Sequence, residues 1–438
     1  MDDCAELLDI SLDQLHDALA AGAGDAAGVT TWLSAALTNQ GTCGDSLAAV
    51  PDPAARSAVR ARVAALEQFI GTALALHAKL NGGSGSSSPA PPNRAAFPSW
   101  VTMHDRHLIS SPASTIAPDA VVALDGSGTH TSISDAIAAM TAPPPAHHPT
   151  ASGGGAGSRK VIYVKAGRYE ESVSITSKQK NVMLLGDGKG KTVISGHRSV
   201  AGGYTTYASA TVAAMGSGFI AKGLTIVNSA GPGKGQAVAL RVGGDLSVVY
   251  NCGIEAYQDT LYVHSNRQFF AADDISGTVD FIFGNAAAVI QGCEIRARRP
   301  SPGQEDTVTA QGRSDPNQNT GISIHRCRIT GAPDLGGTPV YLGRPWRRYS
   351  RTVVMGTFLD RSIAPAGWLE WSGQFGLSTL YYGEYGNTGP GAVTRRRVTW
   401  SGVHTSMSTS DATRFTVANF IVGDAWLPAT GVTYTSGL

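Results

Sequence analysis

Two carboxylates and two carboxamides recur at near-constant spacing in the middle of the chain. Gln236 opens QAVALR (236–241), Gln258 and Asp259 stand in YQDTLYVHS (257–265), and Asp280 stands in GTVDFIFGNA (277–286). Gln258 follows Gln236 by 22 residues, and Asp280 follows Asp259 by 21. Two carboxylates held side by side push their pKa values apart, so one tends to stay protonated. One acid and one base suit a two-step hydrolysis, and a retaining glycosidase uses a similar separation. The carboxamides favour ester cleavage instead. Their N–H groups would hold an oxyanion, which forms in acyl transfer but not on the oxocarbenium-like path of glycoside cleavage. Arg344, in YLGRPW (341–346), follows Asp280 by 64 residues. A guanidinium fork from Arg344 would aim the Asp280 carboxylate. Singly, each of these residues is more often a structural hydrogen-bonding group or a surface ion pair. The shared period favours a site.

A period of 21 or 22 residues is foreign to helices and hairpins, but it is one coil of a parallel β-helix, which consumes roughly 20–25 residues. Coils rest on one another at about ~4.8 Å. Gln236, Gln258–Asp259 and Asp280 then fall on three consecutive coils, with Arg344 about three coils further on. Ile254, Ile275 and Ile295 keep the same step, as stacked core positions would, and Cys327-Arg328-Ile329 repeats the pattern after an insertion. Two residues before those isoleucines stand Cys252, Asp273 and Cys293. Cys293 and Cys327 are expected on neighbouring coils, within the roughly 4–7 Å that a disulfide spans between Cα atoms. Cys252 is expected to be free, because Asp273 separates it from Cys293; three buried thiols are the alternative. Trp346 and Trp368 are candidate platforms for stacking on sugar rings, and Tyr262 and Phe283 for lining the same cleft, although each such residue is more often core packing.

The 438 residues are 42% hydrophobic and only 15% charged, with 53 Gly, which suits a turn-rich β protein. Before the solenoid, residues 2–21, 26–39 and 53–80 show helical periodicity. Asp52 and Pro53 suit the start of the third helix, where Val59, Val63, Leu66, Ile70 and Leu74 form one stripe. These helices read as a small all-α unit over 1–80, which Cys4 and Cys43 could staple. Residues 81–114 read as a Gly/Ser/Pro-rich linker and a connecting arm, and 115–438 as the solenoid. A helix at 131–140 is expected to cap the open end of the solenoid, and 142–158 reads as a surface loop. Residues 1–90 carry a net charge of −6 and the remainder +7, so the two parts could attract each other, and the basic part a polyanion. His and Cys show no metal-ligand spacing, so no metal or cofactor is expected. No run of 18 apolar residues occurs, so no membrane span is expected; no nucleic-acid partner is expected either. Met1-Asp2-Asp3-Cys4 does not read as a signal peptide. The chain is therefore expected either to stay unsecreted or to have lost an N-terminal segment.

At these motifs the chain resembles plant-type pectin methylesterases. GRYEE (167–171), QAVALR, YQDTLYVHS, GTVDFIFGNA, YLGRPW, PAGWLEW (365–371) and LYYGEYGNTGPGA (380–392) carry the resemblance, which extends over nearly all of 117–438. Residues 2–80, with ALTNQGTC (36–43), are similar to the later part of the inhibitor-like pro-region of these enzymes, a partial four-helix bundle. The resemblance implies a right-handed parallel β-helix acting on methyl-esterified homogalacturonan in the cell wall, outside the cell, and releasing methanol without a cofactor. It implies Asp280 as the nucleophile, Asp259 as general acid and then base, and Gln236 and Gln258 as the oxyanion hole. Arg344 would orient Asp280, while Trp346 and Thr206 would contact the substrate. The inhibitor-like helices would be an intramolecular or separate partner. Gly235, Tyr207 and Asp273 depart from the family's usual His, Phe and Cys, and Asp105-Arg106-His107-Leu108 stands in place of its dibasic processing site. Two other classes share such a fold: an inactive pectin-binding β-helix, which the intact Asp259, Asp280 and Arg344 argue against, and a chain-cleaving polygalacturonase or lyase. No calcium-binding carboxylate cluster supports a lyase.

Overall fold

The computed structural model describes residues 2–82, 116–141 and 159–438. The expected linker from 83 onward, the arm with Asp105–Leu108 and the 142–158 loop lie outside the described residues. Three helices come first: α1 (Asp2–Ala21), α2 (Ala26–Ser46) and α3 (Pro53–Gly82). The Asp25 side chain caps α2 by accepting the Gly28 N–H at 2.8 Å. Asp52 caps α3 by accepting the Ala54 N–H at 2.9 Å. Helix α2 runs on beyond the expected stop near residue 39, through Gly41 and Gly44. Tertiary contacts outweigh the roughly 1 kcal/mol that each glycine costs a helix. Asn39 Nδ2 donates to Ser11 Oγ and Gln14 Oε1 at 3.2 and 3.1 Å, and Gln40 Nε2 donates to Ser11 Oγ at 3.1 Å. Cys43 is joined to Cys4 by a disulfide, with the Cα atoms 4.6 Å apart. In α3, Val63, Ile70 and Leu74 are buried, whereas Leu66 leaves the expected stripe and is exposed.

From Ala120 the chain winds into three sheets of 11, 8 and 7 strands, all paired in parallel. One coil gives Arg267–Ala271, Asp274–Gly277 and Ile282–Gly284 to the three sheets in turn. Inside, Ile226, Ile254, Ile275, Ile295 and Ile329 stack in register and are fully buried. Short helix α4 (Ile133–Thr141) sets Ile133 and Ile137 into the same core. Glu171 accepts the N–H groups of Ile133 and Ser134 at 2.9 and 3.1 Å, at the helix end that favours an anion.

The expected bond between Cys293 and Cys327 is not formed; both thiols are free and buried, as is Cys252. The two cysteines are on adjacent coils, but their side chains serve a ladder of amide bonds that runs along the corner. The N–H of Cys252 donates to Asp273 Oδ1 (2.7 Å), that of Asp273 to Cys293 Sγ (3.3 Å), that of Cys293 to Cys327 Sγ (3.4 Å), and that of Cys327 to Thr357 Oγ1 (3.2 Å). The thiols donate in turn to carbonyls, Cys293 to Gln291 and Cys327 to Ile290, at 3.5 and 3.3 Å. Each sulfur therefore satisfies a buried amide, and Asp273 does the same work from the next coil. Burial holds the Asp273 carboxyl well above the usual carboxylate range. Unfolded without reductant, the chain should expose three reactive thiols to a thiol reagent. A count of one would show Cys293 bonded to Cys327.

Candidate active site

The seven-stranded sheet builds one cleft. Its strands include Leu240–Val242, Leu261–Val263, Ile282–Gly284, Thr309–Gln311 and Arg344–Pro345, side by side in that order. Asp259 and Asp280 each stand two residues before a strand, and Leu261 pairs with Ile282, so the two carboxylates occupy the same place on adjacent coils. Both have left-handed backbones, with φ of +63° and +51°. Asp and Asn tolerate that region better than other side chains, so the turn itself selects this residue type. The Asp280 N–H donates to Thr307 Oγ1 at 2.8 Å, and that hydroxyl donates back to Asp280 Oδ1 at 2.7 Å.

Arg344 closes the arrangement. Its Nε donates to Asp280 Oδ1 at 2.8 Å and its Nη2 to Oδ2 at 2.7 Å. It does so from two coils away rather than the expected three. Longer connections after Ala297 and after Gly331 make the 64 residues cover only two turns. Gln236 stands one residue out of step with Gln258, because the Ala237 N–H meets the Gln258 carbonyl at 3.2 Å. Both glutamines nevertheless face a cleft of about 470 Å³ with Asp259, Asp280, Arg344, Thr206, Tyr262, Phe283 and Trp346. The Tyr262 and Phe283 rings stack at 4.2 Å on its floor.

Trp368 does not join them. It is buried in the solenoid core and stacks on Tyr382 at 4.2 Å. Trp371 lines the cleft instead, with the Arg344 guanidinium 4.5 Å over its ring. The two tryptophans are three residues apart: Trp368 sits at an isolated bridge to Gly343, and Trp371 in the bend that follows. No period in the sequence separates them. Tyr204 and Thr205 also line the cleft without having been expected there.

The two carboxylates differ electrostatically. Asp259 makes no ion pair among the described residues. Burial, then the neighbouring Asp280 charge, holds its carboxyl well above the usual range, with Arg344 opposing. Next to Thr307, Asp306 is fully buried, and neither of its oxygens has a partner. Burial, then Asp280, pushes Asp306 up to about 9.

The helical unit forms one wall of the cleft through Thr42, Asp45, Ser46 and Ala48. Thr42 Oγ1 lies 3.0 Å from His264 Nε2, and Thr205 Oγ1 donates to Asp3 Oδ2 at 2.5 Å. Asn285 Nδ2 donates to Thr38 Oγ1 at 2.8 Å, and Gln318 Nε2 to the Ser34 carbonyl at 3.0 Å. Asp45 pairs with Arg347 at 2.6 Å and Asp13 with Lys178 at 2.5 Å, in the sense of the opposed net charges. Leu7, Leu47 and Val63 share an apolar cluster with Tyr207, Met215 and Tyr262.

Residues 119–424 match the family model described as pectinesterase. The chain belongs to the pectinesterase family. It is accordingly a carboxylic ester hydrolase, a pectin methylesterase. Residues 1–76 match the model described as plant invertase/pectin methylesterase inhibitor. "Probable pectinesterase/pectinesterase inhibitor 35" of Arabidopsis thaliana is 51% identical over 452 residues, which cover 100% of this chain and 81% of that protein. The pectin methylesterase from carrot superposes with a TM-score of 0.69 at 53% identity, over 74% of this chain and 100% of its own. A pectin methylesterase in complex with a hexasaccharide superposes with a TM-score of 0.58 at 26% identity, over 74% of this chain and 99% of its own. The solenoid is therefore the right-handed parallel β-helix of this family.

Asp306 gives a test of the site's electrostatics. Its folded pKa is raised, so the stability it contributes is complete below the ordinary carboxylate range and is lost as pH rises toward about 9. Over that window the unfolded chain ionises Asp306 while the folded chain keeps the proton. Asp306→Asn should therefore raise the melting temperature relative to wild type more at pH 8 than at pH 4. An equal shift at both values would show that the folded protein does not hold that proton.

Proposed function

We propose that this pectin methylesterase works through an aspartyl acyl-enzyme on homogalacturonan of the plant cell wall. Asp280, aimed by Arg344, attacks the carbonyl carbon of a galacturonate methyl ester. The carbonyl oxygen becomes an oxyanion held by the Gln236 and Gln258 carboxamides. As the intermediate collapses, the bond to the methoxy oxygen breaks, and protonated Asp259 gives that oxygen its proton. Methanol leaves. Asp259, now ionised, takes a proton from water as the water oxygen attacks the galacturonyl carbonyl. Collapse frees the Asp280 carboxylate and a galacturonic acid unit, which ionises in solvent. Tyr262, Phe283, Trp346, Trp371 and Thr206 hold the sugar chain. One observation carries this reading: Arg344 forks Asp280, whereas Asp259 beside it is buried without a cation of its own.

The helical unit supports a second reading, in which it occupies the substrate's place until it moves or is removed. Thr42, Asp45 and Ser46 line the same cleft as Asp259 and Asp280. The solenoid can be tested without it. The core clusters inside the solenoid contain no residue of the helical unit. All of the carrot chain, moreover, matches 74% of this one, about the share that the solenoid takes.

Two measurements check these readings. Protein lacking residues 1–97 should release methanol from highly esterified pectin without shortening the polymer. Asp280→Ala should lower kcat by about 10³-fold or more, and Asp259→Asn by about 10²- to 10⁴-fold. Wild-type release by Asp280→Ala would rule out that nucleophile, and shortened chains would point to a chain-cleaving enzyme. The full chain should release methanol about tenfold more slowly than the shortened one, which corresponds to about 1.4 kcal/mol of preference for the covered state. Equal rates would end the covering role of the helices.

A further inference from the structure

The floor of the cleft continues beneath the helical unit. Arg344, Ala310, Phe283, Tyr262, Arg241 and Ala213 are in register across the site sheet. The first four line the cleft. Arg241 comes next, one coil beyond Tyr262, and is only 4% exposed. Buried Arg397 and four half-buried arginines of the solenoid have oxygen partners. Arg267, Arg344 and Arg397 fork Asp245, Asp280 and Glu384. Arg313 and Arg351 donate to backbone carbonyls. Among the described residues Arg241 has neither kind of partner. Its Nη1 meets the Met215 sulfur at 3.2 Å, its Nε has no partner, and its guanidinium lies 3.2 Å from the centre of the Tyr207 ring. A charge taken out of water without a countercharge is strongly unfavourable. Contact with an aromatic face offsets only part of that.

The surroundings of Arg241 are the seat of the helical unit. Thr42 reaches His264, whose ring packs edge-on against Tyr207 and Tyr262 at 5.4 and 5.1 Å. Asp3 holds Thr205, two residues before Tyr207. Burial and then the Arg241 charge pull His264 down to about 3, so a neutral ring stands beside the arginine. Among the described residues, Arg241 and Arg344 are the cations of this row.

We infer that Arg241 is a carboxylate subsite of the groove. When the helical unit is off the groove, it binds the free carboxylate of a galacturonate unit two coils from that of Asp280, about 10 Å along the solenoid axis at the strand spacing. This rests on the esterase reading, which supplies the ligand: each turnover converts a neutral ester on the polymer into a carboxylate. The groove then reads two different groups along one chain, an ester at Asp280 and an acid at Arg241. The stacked rings of Tyr262 and Phe283 carry the sugars between them. A guanidinium suits the acid end because its planar fork matches both carboxylate oxygens.

The test is direct binding, so that it does not depend on ester cleavage. Unesterified and fully methyl-esterified oligogalacturonate are titrated by calorimetry into protein lacking residues 1–97, as wild type, Arg241→Gln and Arg241→Met. Melting curves establish which variants fold, and either folded variant suffices. The unesterified oligomer should bind the variants about ten- to a hundredfold more weakly than wild type, with a much smaller loss for the esterified one. Equal affinity of wild type and variants for the unesterified oligomer, no binding of it by wild type, or an equal loss for both oligomers would overturn the assignment. The last result would mark Arg241 as structural. Methanol release, measured separately, decides the esterase reading: charge-selective binding without release would leave the subsite standing and remove the reaction.

Discussion

Parallel stacking of coils places Asp259 and Asp280 one strand spacing apart, and the remaining features of the site follow from that constraint. Two carboxylates this close and this buried cannot carry equal charge without a large penalty. Arg344 breaks the symmetry with a bidentate fork to Asp280 alone, reinforced by the Thr307 hydroxyl. The rigidity comes from the ladder. Leu261 and Ile282 pair in register, and every neighbouring coil repeats the pairing. A scaffold of this kind sets two acids side by side without relying on a loop.

The same groove that presents these acids also seats the helical unit. Its ion pairs there are partly exposed: the Arg347 and Asp45 side chains are 36% and 46% exposed, so the pair is worth only about 0–1 kcal/mol. Such pairs orient the unit more than they hold it. The mixed apolar cluster of Leu7, Leu47 and Val63 with Tyr207, Met215 and Tyr262 is the stronger attachment. Arg241 is buried at the edge of that cluster, and among the described residues no acidic side chain forks it. The acidic helical unit thus walls the cleft and pairs with two cations of the solenoid, Lys178 and Arg347.

Much of the site was legible in the sequence because a solenoid writes its geometry as a period. The 21-residue step between Asp259 and Asp280, and the isoleucines at 254, 275 and 295, are register pairs in the structure. Legibility failed where the period did. Longer connections hid the true distance in coils between Asp280 and Arg344. Trp368 and Trp371 lie outside the regular ladder, and the expectation for the cleft fell on the one that is buried in the core. Cys293 and Cys327 were placed on adjacent coils, but spacing could not distinguish a covalent bond from sulfurs that each accept a neighbouring amide. Helix α2 outran its glycines because the bonds that hold it, from Asn39 and Gln40 to α1, are tertiary. The position of the helical unit over the cleft left no trace in any repeat, since it depends on contacts between segments hundreds of residues apart.

In the proposed reaction the two carboxylates hold different roles because Asp259 keeps its proton. Carbon-13 NMR of carboxyl-labelled aspartate, with wild type compared against Asp259→Asn at neutral pH, tests it most directly. The signal lost in the variant should be that of a protonated carboxyl, which titrates well above the usual carboxylate range. A lost signal belonging to an ionised carboxylate at neutral pH would contradict it, and Asp259 would then have no proton to give the leaving methoxy oxygen.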